Sequence, residues 1–424
     1  GSVSATDIDS ATVTFSLGTG PAAGTVKVNA DGSYTFTPTL TQRLIADTAA
    51  GAKTVTFVIN ASDGTANTPI TVTATIDPAR YVVVDSIGTA VNPIDVDATR
   101  SANGYVYSIS RAGTLTVVDG FTGTVVKTVT VPGSLFAEHL AVDPAQQFAW
   151  VADGQGGRIS RIDLNTGQVT TITVAGNPKD LVIVRQSGRA LLYSTLNSGS
   201  SVAVRDADTG TLLRTIALPA GSAPTNITAG RDGRFLYVAN LSQNSVTRID
   251  TANNDQLTTY AVGASPQGLD VSADGRYVYV SSGASNSVSV IDTVEGKVTA
   301  TVPVGFTSRD VMLSPDGALA FVTNQGNNTV TVVDTATNAV IGAPIGVGRA
   351  PQYIAIPATG DLYVGNYNDS SLTVLRPVSR NLNSAPVGVS NPAFGSPAVT
   401  DGAVTGTLNI TDPDTGNTLS YTVV

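Results

Sequence analysis

The chain has 424 residues, of which 13% are charged, and 23 lysines and arginines against 32 aspartates and glutamates leave a net charge of -9. This acidic balance argues against nucleic acid and anionic membranes as partners, because both attract cationic surfaces. The chain has no cysteine, which excludes thiolate catalysis, zinc–thiolate sites and disulfides, and it has no apolar run long enough for a membrane-spanning helix.

Residues 1–78 are predicted to form a small β-sandwich. Alternating apolar and polar runs such as TVTFSL, KTVTFVIN and PITVTATI are separated by the turn sequences NADG and SDGT. Short alternating strands bounded by such turns are typical of an immunoglobulin-like sandwich. One helical turn is predicted within the segment TQRLIADTAA.

A repeat of 42 to 44 residues begins near residue 80. An aromatic residue marks the second β-segment of every unit, at Tyr107, Trp150, Tyr193, Tyr237, Tyr279, Phe321 and Tyr363. An aspartate ends the third segment, at Asp119, Asp163, Asp206, Asp250, Asp292 and Asp334, and Arg376 takes that place in the last unit. Four short β-segments per unit, joined by turns such as ADGR and TVEG, predict the blades of a β-propeller.

The last unit lacks a fourth strand, and the chain has a candidate for it elsewhere. The unit stops after SLTVLRP, whereas RYVVVDSIG (residues 80–88) precedes the first unit and is similar to the fourth-strand sequence KVTATVPVG. Pairing Tyr81–Ser86 with Ser371–Leu375 would close the ring and remove an exposed sheet edge. The sequence therefore predicts an all-β chain with a seven-bladed β-propeller over residues 80–377.

Three of the repeats carry a family resemblance. FLYVANLSQNSVTRIDT, YVYVSSGASNSVSVIDT and LAFVTNQGNNTVTVVDT resemble the YVTN-type β-propeller repeats of bacterial and archaeal surface-layer proteins. The resemblance covers about residues 80 to 377 and implies the fold more than a function. The second and third units depart most from the family wording, which suggests local specialisation there.

The C-terminal segment resembles the N-terminal one. After a linker predicted at 378–384, residues 385–424 contain TDPDTGNTLSY, which is similar to TDIDSATVTFS near the start of the chain. Both segments resemble immunoglobulin-like repeats of the cadherin or VCBS type that occur in long bacterial adhesins. Because a partial sandwich cannot bury its apolar face alone, we expect residues 385–424 to dock on residues 1–78.

Calcium is the one cofactor that this second resemblance implies. Closely spaced aspartates at the junctions of cadherin-like repeats hold calcium, and Asp7, Asp9, Asp412 and Asp414 take such positions. Calcium binds about six to eight oxygen ligands, and only two carboxylates per site are recognisable. Turn formation by these aspartates is the alternative.

The first strand of each predicted blade should line a central channel, where polar residues gather at one mouth. Two neighbouring positions before the first-strand aliphatic residue collect carboxylates, cations and the single histidine of the chain. The predicted ligand-binding residues are Asp95, Glu138, His139, Lys179, Asp180, Asn226, Arg309, Asp310 and Tyr353. The alternative is a hydrated channel whose charges pair around the ring.

The recurring aspartate that ends each third segment has a structural explanation. It stands immediately before the turn into the fourth strand, where a short carboxylate can accept hydrogen bonds from backbone N–H groups of the turn. We therefore predict a turn-forming role for these residues.

The sequence favours a non-enzymatic module of an exported bacterial surface protein. A rigid propeller would stand between immunoglobulin-like repeats of a longer chain and bind an extracellular protein or glycan, with preorganised loops that lose little entropy on binding. The first alternative is a lactonase or hydrolase that uses Asp95, Glu138, Asn226 and Asp310 around a divalent metal, as propeller lactonases do. The second alternative is an architectural spacer.

Overall fold

The computed structural model describes residues 1–6, 13–64, 66–98, 104–186, 188–379, 398–400, 403–405 and 407–411. The chain divides into two compact units, one made of Gly1–Tyr81 with Pro377–Val424 and the other of Val82–Arg376. Within the described ranges the elements are β-strands, one α-helix and two 3-10 turns. No helix of this part of the chain has the length and apolar character needed to cross a membrane.

The N-terminal part of the first unit is β-structure with one helix. Its elements are β1 (Ser2–Thr6), β2 (Thr14–Leu17), β3 (Thr25–Val28), β4 (Tyr34–Thr37), α1 (Leu40–Asp47), β5 (Thr54–Ser62) and β6 (Asn67–Thr75). Strands β2, β5 and β6 form one antiparallel sheet. Alternation along β5 and β6 places Phe57 opposite Val72 and Ile59 opposite Ile70, and all four side chains are buried in the core of this unit.

The helical turn predicted from TQRLIADTAA is helix α1. Thr39 precedes it, and its hydroxyl accepts a hydrogen bond from the backbone of Gln42, whose side chain accepts one from the backbone of Thr39. This reciprocal arrangement satisfies two backbone donors that a helix start leaves without partners. It explains why the helix begins at Leu40.

Strands of the second unit form a succession of similar sheets, which we number in chain order after β7 (Ala79–Gly88). Sheet 1 contains β8 (Pro93–Ala98), β9 (Tyr105–Ser110), β10 (Thr114–Asp119) and β11 (Thr124–Thr130). Sheet 2 contains β12 (Ala137–Val142), β13 (Phe148–Asp153), β14 (Arg158–Asp163) and β15 (Val169–Thr173). Sheet 3 contains β16 (Pro178–Gln186), β17 (Arg189–Leu196), β18 (Ser201–Asp206) and β19 (Leu212–Ala217).

The remaining sheets follow the same order of strands. Sheet 4 contains β20 (Pro224–Ala229), β21 (Phe235–Asn240), β22 (Ser245–Asp250) and β23 (Gln256–Ala261). Sheet 5 contains β24 (Pro266–Val271), β25 (Tyr277–Ser282), β26 (Ser287–Asp292) and β27 (Lys297–Pro303). Sheet 6 contains β28 (Ser308–Leu313), β29 (Leu319–Asn324), β30 (Thr329–Asp334), β31 (Ala339–Val340) and β32 (Ile345–Gly346). Sheet 7 contains β33 (Pro351–Ala355), β34 (Leu362–Asn366), β35 (Ser371–Ser379) and β7.

Sheet 7 is completed by the strand that precedes sheet 1. Its order is β33, β34, β35 and β7, so the predicted pairing of this early strand with the last unit is confirmed. An apolar layer that includes Ile87, Val96, Val106 and Val374 packs sheet 7 against sheet 1. Strand β35 continues to Ser379 and so extends two residues into the predicted linker.

Apolar layers between consecutive sheets form the core of the second unit. Trp150 of sheet 2, for example, packs with Leu181 and Leu192 of sheet 3, and its indole N–H donates to the carbonyl of Ala207 at 3.2 Å. The aromatic residue that marks each repeat is buried in every sheet. Burial of a large apolar side chain contributes about 1.5 to 3 kcal/mol, so this periodic position is a main source of stability.

The recurring aspartates form turns, as predicted. Asp292, for instance, accepts hydrogen bonds from the backbone N–H groups of Val294 and Glu295, both at 2.9 Å. The first of these bonds, from the backbone N–H two residues further on, occurs at the other five aspartates of the series, Asp119, Asp163, Asp206, Asp250 and Asp334. In sheet 5 the second oxygen of Asp292 pairs with Arg276 at 3.0 Å.

Sheet 7 has the same ion pair with its two members exchanged. Arg376 takes the place of the aspartate. Asp361, which directly precedes the second strand of the sheet, lies 2.6 Å from the guanidinium of Arg376. The exchanged pair still joins the start of the second strand to the third strand. This explains how the last unit tolerates an arginine in the aspartate position.

The described strands of the C-terminal segment belong to the first unit. They are β36 (Ala398–Thr400), β37 (Ala403–Thr405) and β38 (Thr407–Thr411). Strands β36 and β37 extend the sheet of β3 and β4, and β38 runs parallel to β1. These are strand pairings of the kind that docking of residues 385–424 on residues 1–78 requires.

Candidate functional site

A bulge at the start of each first strand sets the direction of the side chains at one end of the second unit. In sheet 1 the register between the first two strands shifts between Pro93 and Asp95, and in sheet 4 it shifts between Pro224 and Ile227. The same irregularity occurs at the start of the first strand in the other sheets. Bulges redirect side chains locally. The two neighbouring residues at the bulge of each first strand therefore differ in burial, and we call the two resulting sets of side chains the inner tier and the outer tier.

The inner tier takes one residue from each first strand and is almost fully buried. Its members are Asp95, His139, Asp180, Asn226, Gly268, Asp310 and Tyr353. The six with side chains are between 5% and 8% exposed. The outer tier consists of the preceding residues, Ile94, Glu138, Lys179, Thr225, Gln267, Arg309 and Gln352, of which Glu138, Lys179, Thr225, Gln267 and Arg309 are partly exposed.

His139 lies at the centre of the inner tier. Its Nδ1 is 3.2 Å from Oδ2 of Asp95 and 3.3 Å from Oδ1 of Asp180. Its ring meets the ring of Tyr353 edge to face, with centroids 4.4 Å apart, and its Nε2 is 3.2 Å from the side-chain amide of Asn226. The histidine therefore connects first strands from five different parts of the chain.

The environment of His139 favours its charged form. Burial by itself lowers the pKa of the imidazole, but interactions with Asp180, Tyr353 and Asp95 raise the pKa of His139 well above its ordinary value. An imidazolium donates from both nitrogens, so Nε2 requires an acceptor. The structure places Nδ2 of Asn226 towards His139, and Nδ2 also donates to the hydroxyl of Tyr353 at 3.2 Å. Exchange of the amide oxygen and nitrogen of Asn226 would give Nε2 the acceptor that it requires.

The inner-tier aspartates also bind the backbone of the next sheet. Oδ2 of Asp95 accepts from Leu140 N at 2.8 Å, and Oδ2 of Asp180 accepts from Ile227 N at 2.8 Å. Oδ2 of Asp310 accepts from the N–H of the first strand of sheet 7, at Ile354, at 3.0 Å. These carboxylates thus hold sheets 1 and 2, 3 and 4, and 6 and 7 together.

Two further aspartates, each two residues after an inner-tier position, make the same kind of contact with the next sheet. Asp97 accepts from Val142 N at 2.9 Å, and Asp270 accepts from Leu313 N at 2.8 Å. Neither was predicted as functional from the sequence. Spacing of two residues from the inner tier was the available signal, because residues i and i+2 of a strand share a face.

Burial changes the protonation of three of these carboxyls. It raises the pKa of Asp180 to about 6 and the pKa of Asp97 to about 6. It raises the pKa of Asp310 to about 7, with further increases from Asp95 and Asp270 that the hydrogen bond from Ile354 opposes. Gly268 contributes to this burial, since a Cβ at that position would collide with the backbone and carboxylate of Asp310.

The outer tier carries the exposed charges of the site. Nζ of Lys179 is 2.5 Å from Oε1 of Glu138. The guanidinium of Arg309 donates to Oε1 of Gln267 and lies 5.5 Å from the ring centroid of Tyr353. Gln267 was not among the predicted residues, because an isolated glutamine carries no sequence signal for a site.

The nine predicted residues all stand at the starts of first strands, but they do not form one pocket lining. Direct contacts join Asp95, His139, Asp180, Asn226 and Tyr353. Glu138 pairs with Lys179 above them, and Asp310 binds the backbone of Ile354. What the sequence suggested as a single set of ligand-binding side chains is therefore divided into a buried polar cluster and a partly exposed rim.

The predicted calcium ligands Asp7, Asp9, Asp412 and Asp414 lie outside the described residues. Within the described ranges, no group of three or more aspartate, glutamate or histidine side chains is arranged to hold a metal ion.

Comparisons with known proteins agree with the architecture. No curated protein matches the chain. A solved structure described as "Streptogramin B lyase structure" is 18% identical with a TM-score of 0.60, over 71% of this chain and 98% of that chain. The hydrazine synthase of Kuenenia stuttgartiensis is 19% identical with a TM-score of 0.61, over 71% of this chain and 100% of that chain. These similarities show the fold alone. The profile of the YNCE-like β-propeller family matches residues 35–358, and the chain therefore belongs to that family.

Proposed function

We propose that the chain is a non-enzymatic binding module whose propeller presents a rigid, charged channel mouth to an extracellular protein or glycan. The observation that carries this proposal is the division into two tiers. The inner tier is buried and bonded to the backbones of neighbouring first strands, so the outer tier above it is held in fixed positions. A preorganised rim loses little conformational entropy when a ligand binds.

We also propose that the seven sheets are the seven blades of one closed, YVTN-type ring over residues 80–377. The hydrogen bonds from Asp95, Asp180 and Asp310 to the next first strand support closure. The apolar layer between sheets 7 and 1 supports it as well.

For the flanks, we propose an immunoglobulin-like domain built from residues 1–78 and 385–424, with a linker at 378–384. The pairing of β36 and β37 with the sheet of β3 and β4 supports a shared domain. Calcium at Asp7, Asp9, Asp412 and Asp414, a place on the bacterial cell exterior within a longer protein, and neighbouring repeats of the same kind follow from the resemblance to adhesin repeats.

The binding function is tested with arrays of extracellular proteins and glycans. Lys179→Ala, which removes one of the two partly exposed cations of the outer tier, is expected to weaken binding of the captured ligand by about tenfold or more, because a charge at a binding site contributes on that scale. Lys297→Ala is the matched control, since Lys297 forms an equally simple pair with Glu295, at 3.0 Å, at the opposite end of sheet 5. Equal binding by both variants and the unmodified chain would contradict the location of the site.

Hydrolysis is the second candidate function, and the raised pKa of Asp310 favours it. A carboxyl with a pKa near 7 in the same buried tier as an imidazolium suits general acid–base catalysis. One similar structure is described as a lyase, but this similarity supports only the fold and not an activity. A panel of lactones and esters provides the test: turnover that Asp310→Asn lowers at least about a hundredfold would establish the enzyme. A chain that neither binds array ligands nor turns over substrate would be an architectural spacer.

A further inference from the structure

Two arginines at the channel-mouth end contact aromatic rings, and each of them contacts one ring of sheet 7. The guanidinium of Arg111 lies 3.2 Å from the ring centroid of Phe136 and 5.8 Å from that of Tyr367, and it donates to the hydroxyl of Tyr367 at 3.0 Å. Arg309 lies over Tyr353. Tyr353 and Tyr367 both belong to sheet 7 and its loops, so this sheet positions one arginine from sheet 6 and one from sheet 1.

The strand pairing places both arginines at the same end of the propeller. The start of each first strand pairs with the end of the second strand, as Pro93 with Ser110 and Ser308 with Asn324. Arg111 follows Ser110 directly, and Arg309 follows Ser308. Both therefore stand at the end where the outer tier lies.

Neither arginine is neutralised by a carboxylate of the residues that the structure describes. Among the described side chains, Arg111 and Arg309 form no ion pair, and Nε of Arg309 is buried without a hydrogen-bond acceptor. At the opposite end, Arg234 and Arg276 each pair with an aspartate at 3.0 Å. A guanidinium stacked on a ring keeps donors in its plane, and this edge fits a carboxylate.

Large apolar side chains are exposed in loops that lead into first strands at the same end. Val91, Leu135 and Phe306 are 68%, 69% and 64% exposed, and each stands four residues before the inner-tier residue of its sheet. The same position in sheets 3, 4 and 5 holds the small residues Gly176, Ser222 and Ala264. At this position the exposed apolar groups are therefore confined to sheets 6, 1 and 2, and sheet 7 has Arg349 there.

Hydrogen bonds connect the loops that carry these groups. Phe306 N donates to Asn327 Oδ1 at 2.5 Å, and Ala350 N donates to the neighbouring Asn328 at 2.9 Å. Tyr367 N in turn donates to the carbonyl of Ala350 at 3.1 Å, and Tyr367 contacts Arg111. Ala137 N, at the start of sheet 2, donates to the carbonyl of Arg111 at 3.0 Å. The loops of sheets 6, 7, 1 and 2 are therefore connected, and we call their exposed and charged residues the sheet 7 sector: Val91, Arg111, Leu135, Phe306 and Arg309.

We infer that the sheet 7 sector docks an acidic protein segment in which carboxylates alternate with large apolar side chains. This inference rests on the proposed binding function and names the class of partner. Two guanidinium groups that form no ion pair among the described side chains select carboxylates by charge complementarity. Val91, Leu135 and Phe306 select apolar side chains, which an acidic polysaccharide does not offer.

The inference is tested with the full chain and fluorescent probes. The first probe is a twelve-residue peptide of repeated Glu-Phe-Glu-Leu, and its controls replace Glu by Gln or replace Phe and Leu by Ser. We expect measurable binding of the first peptide and binding weaker by about tenfold or more for each control, since both charge and apolar anchors contribute. A uronic-acid oligosaccharide is the third probe and is expected to bind more weakly than the peptide.

Variants locate the binding. Arg111→Ala and Arg309→Ala are expected to weaken peptide binding by about tenfold, and Arg111→Lys to weaken it as well because lysine lacks the planar fork. Arg234→Ala is the matched control. Phe306→Ser is expected to weaken binding, whereas Val294→Ser, at a residue 78% exposed near the other end, is not. Thermal unfolding of each variant verifies that it is folded.

Three results would overturn the inference: no binding of the acidic apolar peptide, unchanged binding by both arginine-to-alanine variants, or tighter binding of the oligosaccharide than of the peptide. If an array ligand still depends on Lys179 while this peptide fails, the proposed binding function stands and only the partner class is wrong. If no array ligand binds, the proposed function itself fails.

Discussion

Replacing Asp95 by alanine is expected to lower the free energy of unfolding by about 3 to 5 kcal/mol, because it breaks a buried ion pair and a buried hydrogen bond together. Asp95 is 5% exposed. Its carboxylate contacts His139 at 3.2 Å and accepts from Leu140 N at 2.8 Å. Without it, the buried N–H groups of Leu140 and Val96 lose this acceptor, and the imidazolium keeps a single counter-charge.

Urea unfolding provides the measurement, with the fluorescence of Trp150 as the signal. Trp150 is the only tryptophan, is 1% exposed, and lies in sheet 2 beside the strand of His139. Asp208→Ala, at an exposed aspartate, is the control and is expected to change stability by less than about 0.5 kcal/mol. A loss at Asp95 no greater than at Asp208 would contradict the structural role assigned to the inner tier.

Stability is expected to fall as the pH rises from 5 to 8, and Asp310→Asn is expected to make this fall clearly smaller. The folded chain holds the proton of Asp310 up to about pH 7, whereas the ordinary pKa of an aspartate is 3.8. A folded-state pKa above the unfolded one contributes stability that is fully present below the unfolded pKa and is lost as the pH rises through the folded pKa. The gap between 3.8 and about 7 corresponds to about 4 kcal/mol.

Asp180, Asp97 and His139 also make stability fall as the pH rises. Asp180 and Asp97 lose their contributions as the pH rises through about 6, and His139 loses its contribution as the pH rises above 6.5 through its raised pKa. Asp206 acts in the opposite direction, because turn hydrogen bonds lower its pKa to about 2 and its contribution is lost as the pH falls through that value. The most stable range should therefore lie near pH 4 to 5.

Urea midpoints at pH 5 and pH 8 measure this dependence. In the Asp310→Asn chain the new amide would keep an oxygen that accepts from Ile354 N but would not titrate. The urea midpoint of this variant should therefore differ less between pH 5 and pH 8 than that of the unmodified chain, and the remaining difference comes from His139, Asp180 and Asp97. Asp208→Asn should keep the full dependence of the unmodified chain. Equal midpoints for the unmodified chain at pH 5 and 8 would refute the burial of a protonatable Asp310.

Local and periodic features of the structure were accessible from the sequence. The aromatic position of each repeat, the strand that completes sheet 7 and the turn-forming aspartates follow from spacing and turn chemistry, which depend on residues close together in the chain. The helix after Thr39 was likewise recognisable as a helical turn, although its start required the contact with Gln42.

The candidate site was only partly accessible. The site residues could be identified from the sequence because they share a position in the repeat. Their exposure could not be predicted, because a bulge in each first strand separates two neighbouring positions into a buried tier and a tier that is largely partly exposed. The stack of Arg111 on Phe136 and Tyr367 joins three sheets, and no pattern along the chain relates these residues.

The sequence by itself determined the repeated four-stranded sheet and the way its last copy is completed, because strand periodicity and turn residues act over a few positions. Only the tertiary structure decided that Asp95, Asp180 and Asp310 hold neighbouring sheets together. Each of these carboxylates finds its backbone donor 44 to 47 residues further along the chain. A hydrogen bond between residues so far apart in the chain forms only after the sheets have packed side by side. For this reason the sequence predicted these aspartates as ligand-binding residues, whereas in the fold they are buried acceptors of backbone hydrogen bonds.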